Sequence, residues 1–269
     1  MNKRLFTTLL MGLTTAALVF AQPGAVQTPK LLSSVNMRVF PHLVDGGLTR
    51  SVLIITNSDT QNSAHFHLNF YNDNGGNTQF VIKELGGAVD HVDGTISAGG
   101  AWFLTTSSTS STNQQGFGIF DSTTASTVGG IQIIQVRSST NGPFSAEATV
   151  EAVDRAFTTP VGVPFDNTGG NVSSMAVAST DPNGPQTVNV VAKDEHGNVL
   201  FTGTLSLVAL HHTAFGTAAQ WPALANKRGM LFFSPGSGQA VAQMAIMALR
   251  FASISNGFTV TALPPVQGF

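Results

Sequence analysis

Pro41-His42-Leu43-Val44-Asp45-Gly46-Gly47 occurs in this 269-residue chain in two forms, the second being Pro164-Phe165-Asp166-Asn167-Thr168-Gly169-Gly170. Both forms follow a Pro-x4-Gly-Gly pattern, and each is followed by an apolar segment and then by a polar turn. Segments that return in the same order indicate an internal duplication. We therefore expect two similar domains in tandem.

Further landmarks return in the same order after each copy. Residues 51–56 match 174–179, the turn 72–75 matches 194–197, and residues 131–137 match 244–250. This matching makes Arg137 equivalent to Arg250, and it leaves an insertion around residues 86–93 of the first copy that we expect to be a loop. Both turns contain residues that tolerate positive φ angles, which predicts tight hairpins.

Alternation of apolar and polar residues dominates the segments between the turns. Residues 64–70, for example, place Phe66, Leu68 and Phe70 on one face of a strand, and His65 and His67 on the other. Short alternating strands separated by turn signals predict an all-β fold. We expect two tandem antiparallel Ig-like β-sandwich domains related by internal duplication. A single large barrel is the alternative.

The N-terminus predicts export. Lys3 and Arg4 precede a short apolar stretch that ends at Ala21, which is typical of a signal peptide. A membrane anchor is the alternative, but polar residues interrupt the stretch. The expected division is a signal peptide at 1–21, a disordered lead-in at 22–35, a first sandwich at 36–152, a linker at 153–163 and a second sandwich at 164–269.

Composition narrows the range of partners. The chain has 12 Lys and Arg against 14 Asp and Glu, and the signal peptide removes two of the cations. An acidic mature chain argues against nucleic acid as a partner, because phosphate binding needs clustered cations. The absence of Cys excludes a disulfide framework and a lipid anchor on Cys. We expect a secreted protein, extracellular or periplasmic, without membrane insertion after signal cleavage.

Several short motifs together resemble a known family. Phe40-Pro41, Glu147-Ala148-Thr149-Val150, His212-Thr213-Ala214-Phe215 and Leu249-Arg250-Phe251 occur in an order similar to that of uncharacterised secreted two-module β-sandwich proteins common in soil bacteria. The resemblance extends from about residue 40 to residue 265. It implies tandem Ig-like modules and export, and it implies no catalytic residues.

Motifs of catalysis are missing from the sequence. There is no Gly-x-Ser-x-Gly elbow, no His-Glu-x-x-His, no P-loop and no dinucleotide fingerprint. Glycoside hydrolysis needs two carboxylates that face a cleft, whereas the acidic residues here occur mainly in turns. We therefore expect that the protein is not an enzyme and has no cofactor.

Some residues remain candidates for binding. His65 and His67 share a strand face and are weak metal candidates, but no third ligand is evident, so we expect no metal site. Acidic turns could supply oxygen ligands to calcium, Arg could contact an anion, and an exposed Trp could contact a sugar. The binding candidates of these kinds are Asp45, Asp166, Arg137, Arg250 and Trp102.

The sequence thus predicts a non-catalytic protein, either structural or adhesive, that acts as an extracellular interaction module. Its partner would be an extracellular protein or a glycan, contacted through sheet edges or end loops. A carbohydrate- or calcium-binding module is the alternative function.

Overall fold

A computed structural model describes residues 37–109, 111–122, 127–255 and 257–267. The predicted signal peptide and lead-in, residues 1–21 and 22–35, lie outside these residues. Strands account for 63% of the structure and helices for 4%, and the strands form antiparallel sheets. The predicted all-β class is confirmed. No helix in the described ranges is long and apolar enough to cross a membrane.

The strands follow one another along the chain with short connections. The first half contains β1 (Arg38–Gly46), β2 (Thr49–Asn57), β3 (Ala64–Asn72), β4 (Phe80–Ile82), β5 (Gly87–Val89), β6 (His91–Ile96), β7 (Ala101–Thr105), β8 (Gln114–Ser122), β9 (Val128–Arg137), β10 (Phe144–Glu151) and β11 (Val153–Asp154). The second half contains β12 (Val161–Asp166), β13 (Val172–Ser179), β14 (Gln186–Asp194), β15 (Val199–Leu207), β16 (His212–Gly216), β17 (Arg228–Pro235), β18 (Met244–Ile254), β19 (Gly257–Ala262) and β20 (Val266–Gln267).

Among the described residues, helical structure is confined to short turns. A 3-10 helix spans Lys83–Leu85, α1 spans Thr217–Gln220, and a second 3-10 helix spans Pro222–Leu224. Trp221 joins the last two, and its buried ring contacts the rings of Phe215 and Phe233.

The same strand pairings occur in both halves. In the second half, β15-β14-β17-β12-β20 form one sheet and β16-β13-β18-β19 form another. In the first half, β6-β3-β8-β1 and β7-β2-β9-β10 pair in the corresponding order, and β1 also pairs with β2, which joins them into one nine-stranded sheet. Each half encloses its own apolar core, with Phe40, Leu53 and Phe120 in the first and Val163, Met175 and Phe233 in the second.

The insertion around residues 86–93 is not a plain loop. It forms the β4–β5 hairpin and leads into β6, where the second half has the single strand β15. The predicted turns are confirmed, because the N–H of Gly75 donates to Asn72 and that of Gly197 donates to Asp194. Gly75 and Gly197 have φ angles of 83° and 84°.

The strand register corrects the predicted matching of the two halves. The Ser51 hydroxyl accepts a hydrogen bond from the Val44 N–H at 2.9 Å, and the Ser173 hydroxyl accepts one from the Asp166 N–H at 2.7 Å. Ser51 therefore corresponds to Ser173, one residue before the expected match. The first half therefore has one more residue than the second half before this serine. The extra residue lies in a β-bulge between Phe40 and Leu43.

The predicted equivalence of Arg137 and Arg250 is also wrong, by three residues. Ser51 pairs with Ile134, and Ser173 pairs with Arg250. Arg250 therefore occupies the place of Ile134, whereas Arg137 lies three residues further along the same strand, where its N–H donates to the Leu48 carbonyl.

Two glycines allow β8 and β17 to approach the neighbouring strands closely. A Cβ atom at Gly116 would lie 2.1 Å from the Tyr71 carbonyl oxygen, and one at Gly229 would lie 1.9 Å from that of Lys193. We expect Gly116→Ala to lower the free energy of unfolding by about 1–3 kcal/mol, because backbone must move to relieve the contact. Gly87→Ala is the control, since nothing lies within 4 Å of its Cβ. Thermal melts of the two variants should differ, and equal midpoints would contradict this packing.

The two halves pack against each other through apolar sheet faces. The second half contributes the outer face of β16-β13-β18-β19, with Ala176, Ala178, Ala245, Met247 and Leu249. The first half contributes Val39, Val44, Phe117, Ile119, Ile134 and Val136. All of these side chains are buried. Part of the predicted linker, residues 153–163, is regular structure, since β11 pairs with β1 and β12 begins at Val161.

Candidate functional site

The outer face of β7-β2-β9-β10 in the first half is apolar at its centre and open to solvent. Strand register places Phe103, Ile54 and Ile131 side by side in one row, and Val52 and Ile133 in the next. Their neighbours along each strand, such as Leu53 and Leu104, point into the core instead. We call the five residues Val52, Ile54, Phe103, Ile131 and Ile133 the open face.

Phe103 is the most accessible residue of the open face. Its side chain is 54% exposed, while the other four are partly buried. A contiguous apolar surface with a protruding aromatic ring is typical of interaction sites.

Polar residues border the open face along one end. The Arg50 Nε donates to Gln135 Oε1 at 2.6 Å, and the Gln135 amide donates to Glu147 at 2.8 Å. The Arg50 guanidinium also lies 4.1 Å from the centre of the Phe144 ring. Partial burial, followed by the nearby charge of Arg137, lowers the pKa of Arg50. An apolar centre with a charged rim resembles the anatomy of protein–protein interfaces.

The corresponding face of the second half is covered. Ala176 pairs with Met247 and Ala214, as Ile54 pairs with Ile131 and Phe103. Ala176 and Met247 are 3% and 1% exposed because the first half packs on them. The same sheet face is therefore buried by a neighbouring sandwich in one half and open in the other.

The first half covers the second half with an apolar surface, and the corresponding surface of the second half is not apolar. The first half uses Tyr71, Val44 and Ile134 at or beside the interface, and the register places Lys193, Asp166 and Arg250 at the corresponding positions. Arg250 Nε lies 2.9 Å from Asp166 Oδ2, in an ion pair that is partly exposed. The second half thus has a charged surface where the first half has an apolar one.

A buried chain of polar groups crosses the interface between the halves. His212 Nδ1 lies 2.6 Å from Asp73 Oδ1, and His212 Nε2 lies 3.0 Å from His42 Nδ1. Because a carboxylate only accepts, His212 Nδ1 donates to Asp73, and in the neutral ring Nε2 then accepts from His42. Burial, followed by the nearby His212, lowers the pKa of His42 well below its usual value. His42 and His212 are 7% and 1% exposed, whereas the Asp73 side chain at the end of this polar chain is 29% exposed.

The predicted acidic candidates are engaged by other protein groups. Asp45 is buried and accepts hydrogen bonds from the Ser107 hydroxyl and the Ser108 N–H. Asp166 accepts from Thr168, Asn171 and Arg250. Partial burial alone would raise the pKa of Asp166, but the hydrogen bonds from Thr168 and Arg250 and the Arg250 charge outweigh it, so the pKa of Asp166 lies below its usual value.

The other binding candidates also contact the fold itself. Arg137 donates to the Ser108 carbonyl at 2.9 Å and lies above the Phe144 ring. The Trp102 ring packs edge-on against Phe66, and its indole N–H donates to the Thr95 carbonyl at 3.0 Å. The exposed aromatic residue of β7 is therefore Phe103 rather than Trp102.

A groove of about 760 Å³ lies where the two halves meet the connecting segment. Thr56, Gly129 and Ile131 belong to its lining, which places it beside the open face. Glu151 and Phe157 give the groove both polar and apolar walls. Its lining shares Ile131 with the open face.

The two weak metal candidates lie among other polar side chains of the outer face of β3 and β6. His67 faces Asp93 across the strands, and His65 faces Thr95. In the ranges that the structure covers, no three His, Asp or Glu side chains are spaced to enclose a metal ion as they stand.

The chain was compared with family models, curated proteins and solved structures, and no match was found in any of the three. The resemblance to secreted two-module proteins stays a prediction.

Proposed function

We propose that the protein is a secreted, non-catalytic interaction module made of two tandem Ig-like β-sandwiches that arose by duplication. The proposal rests chiefly on one observation: the open face is apolar and accessible, while the corresponding face of the second half is covered by a sandwich. The chain itself thus provides an example of how such a face is used.

The partner that fits the open face is an extracellular β-sandwich protein with an apolar outer sheet face. It would pack on the open face as the first half packs on the second. A second copy of this chain could not pack in that way, because the corresponding surface of its first half already covers its second half, and its second half presents Lys193, Asp166 and Arg250 at the corresponding positions. Removing such charged groups from water costs several kcal/mol per ion.

A photo-reactive phenylalanine analogue at position 103 tests this proposal in cells that export the protein. We expect a cross-linked partner of β-sandwich type, with the linked peptide on an apolar sheet face. The same analogue at Val199, which is 60% exposed on β15 of the second half, is the control. Cross-linking to a second copy, or equal products from both positions, would overturn the proposal.

Titration with the purified partner then measures how much Phe103 contributes to the binding affinity. We expect Phe103→Asp to weaken binding by about 30-fold or more, because a charge replaces the aromatic anchor of the interface. Val199→Asp should leave the affinity unchanged. Equal effects of the two substitutions in a calorimetric titration would show that the open face is not the contact surface.

A further inference from the structure

The outer face of β3 and β6 brings together three side chains that the sequence separates. His67 pairs across the strands with Asp93, and Asn69 pairs with His91. His67 Nδ1 contacts Asp93 Oδ1, and His91 Nε2 lies 3.6 Å from Asp93 Oδ2. Two imidazole nitrogens therefore converge on one carboxylate.

The other nitrogen of each imidazole is held by an oxygen acceptor. His67 Nε2 lies 3.1 Å from Asn69 Oδ1, and His91 Nδ1 lies 2.7 Å from Asp90 Oδ1. These contacts fix each ring so that its remaining nitrogen points toward Asp93. Metal-binding histidines usually have such a second contact, which sets the tautomer and the ring orientation.

We propose that His67, His91 and Asp93 bind a divalent transition-metal ion of the zinc type. The ring centres of His67 and His91 are 5.6 Å apart. Two imidazoles on one tetrahedral zinc ion, with Zn–N distances of about 2.0–2.1 Å, have ring centres about 5 Å apart. Two nitrogens and one carboxylate oxygen are a donor set that zinc accepts, with water as the fourth ligand.

Binding requires only surface side chains to move. Asp93 now forms ion pairs with both imidazoles and must shift to share an ion with them. The side chains of Asp93 and His91 are 66% and 52% exposed, so this shift disturbs little packing.

The fold itself does not require these side chains. The second half has the same strand pair in β14 and β15, where Asn189 faces Thr204 and Val191 faces Thr202. The histidines and the aspartate are therefore specific to the first half, His67 on β3 and His91 and Asp93 on β6.

Calorimetric titration of the EDTA-treated, dialysed full chain with ZnCl2 tests the site. We expect one zinc ion per chain, and we expect His91→Ala and Asp93→Asn each to weaken binding at least about tenfold. CaCl2 should give no comparable heat, since calcium prefers oxygen ligands. His196→Ala is the control, because the His196 side chain is 76% exposed on the other half.

The site variants should retain the wild-type melting temperature without zinc, because the residues are at the surface. Zinc at 100 times its dissociation constant should raise the wild-type midpoint but not that of His91→Ala. Absence of zinc binding, or equal binding by wild type and His91→Ala, would overturn the proposal and leave His67, His91 and Asp93 as ion pairs only.

Discussion

Replacing Phe117 with alanine is expected to lower the free energy of unfolding by about 3–5 kcal/mol, the range for a large aromatic residue in a packed core. Phe117 is fully buried between the halves, with its ring 5.1 Å from that of Tyr71 and 6.2 Å from that of His212. Its removal leaves a cavity against Ala178 and Ala245 of the second half, and rigid sheets cannot collapse to fill it.

Urea denaturation of the Phe117→Ala variant measures this loss directly. Phe103→Ala is the matched control, because it removes the same ring from the exposed open face. Its free energy of unfolding should stay within about 0.5 kcal/mol of wild type. If both variants lost the same amount, the halves would not pack through Phe117 as described.

Acidification is expected to destabilise the protein through His42. Burial, and then the neighbouring His212, lowers the pKa of His42 well below its usual value of about 6.5. Below about pH 6.5 the unfolded chain therefore binds a proton at His42 that the folded protein does not bind. The stabilising contribution is complete above about pH 6.5 and falls by about 1.4 kcal/mol per pH unit as the pH drops.

Other groups contribute to the pH profile and can be separated from His42. Burial, followed by the nearby His212, also lowers the pKa of His211, so its contribution has the same sign and also begins to fall below about pH 6.5. Asp166 has a lowered pKa as well, but its contribution is lost only at lower pH, where carboxylates take up protons.

His42→Gln isolates the histidine effect. Glutamine can still donate a hydrogen bond to His212 but does not titrate. We expect its free energy of unfolding, measured in urea between pH 7.5 and pH 5, to match the wild-type slope above about pH 6.5 and to fall less steeply below it, by about 1.4 kcal/mol per pH unit. His196→Gln, at an exposed position, should keep the wild-type slope. A His42→Gln profile parallel to wild type would show that His42 is not the group responsible.

The sequence predicted the strands and turns well because their signals are local. Alternation in residues 64–70 and the positive-φ glycines of the two hairpins act within a few residues of one another. The register was missed by one residue because Ser173 and Ser174 are adjacent, and either can match Ser51. Equal spacing in the two Pro-x4-Gly-Gly segments also concealed the β-bulge at His42.

The candidate sites could not be predicted because they depend on contacts between distant segments. Val52, Leu53, Ile54 and Ile55 are all apolar, so β2 has the sequence of a strand that is buried on both faces. Only the tertiary arrangement determines that one of those faces is open. His91 and Asp93 likewise meet His67 only through the pairing of β6 with β3, which no short motif encodes.

The ion pair of Arg250 with Asp166 bears on which end of the protein a further sandwich can pack against. In proteins built of repeated units, the terminal units have polar outer faces that prevent further stacking. The second half, with Lys193, Arg250 and Asp166 at positions that are apolar or aromatic in the first half, has the properties of such a terminal unit. If another sandwich packs on the open face as proposed, a row of sandwiches that includes this protein would grow from the first half and end at the second.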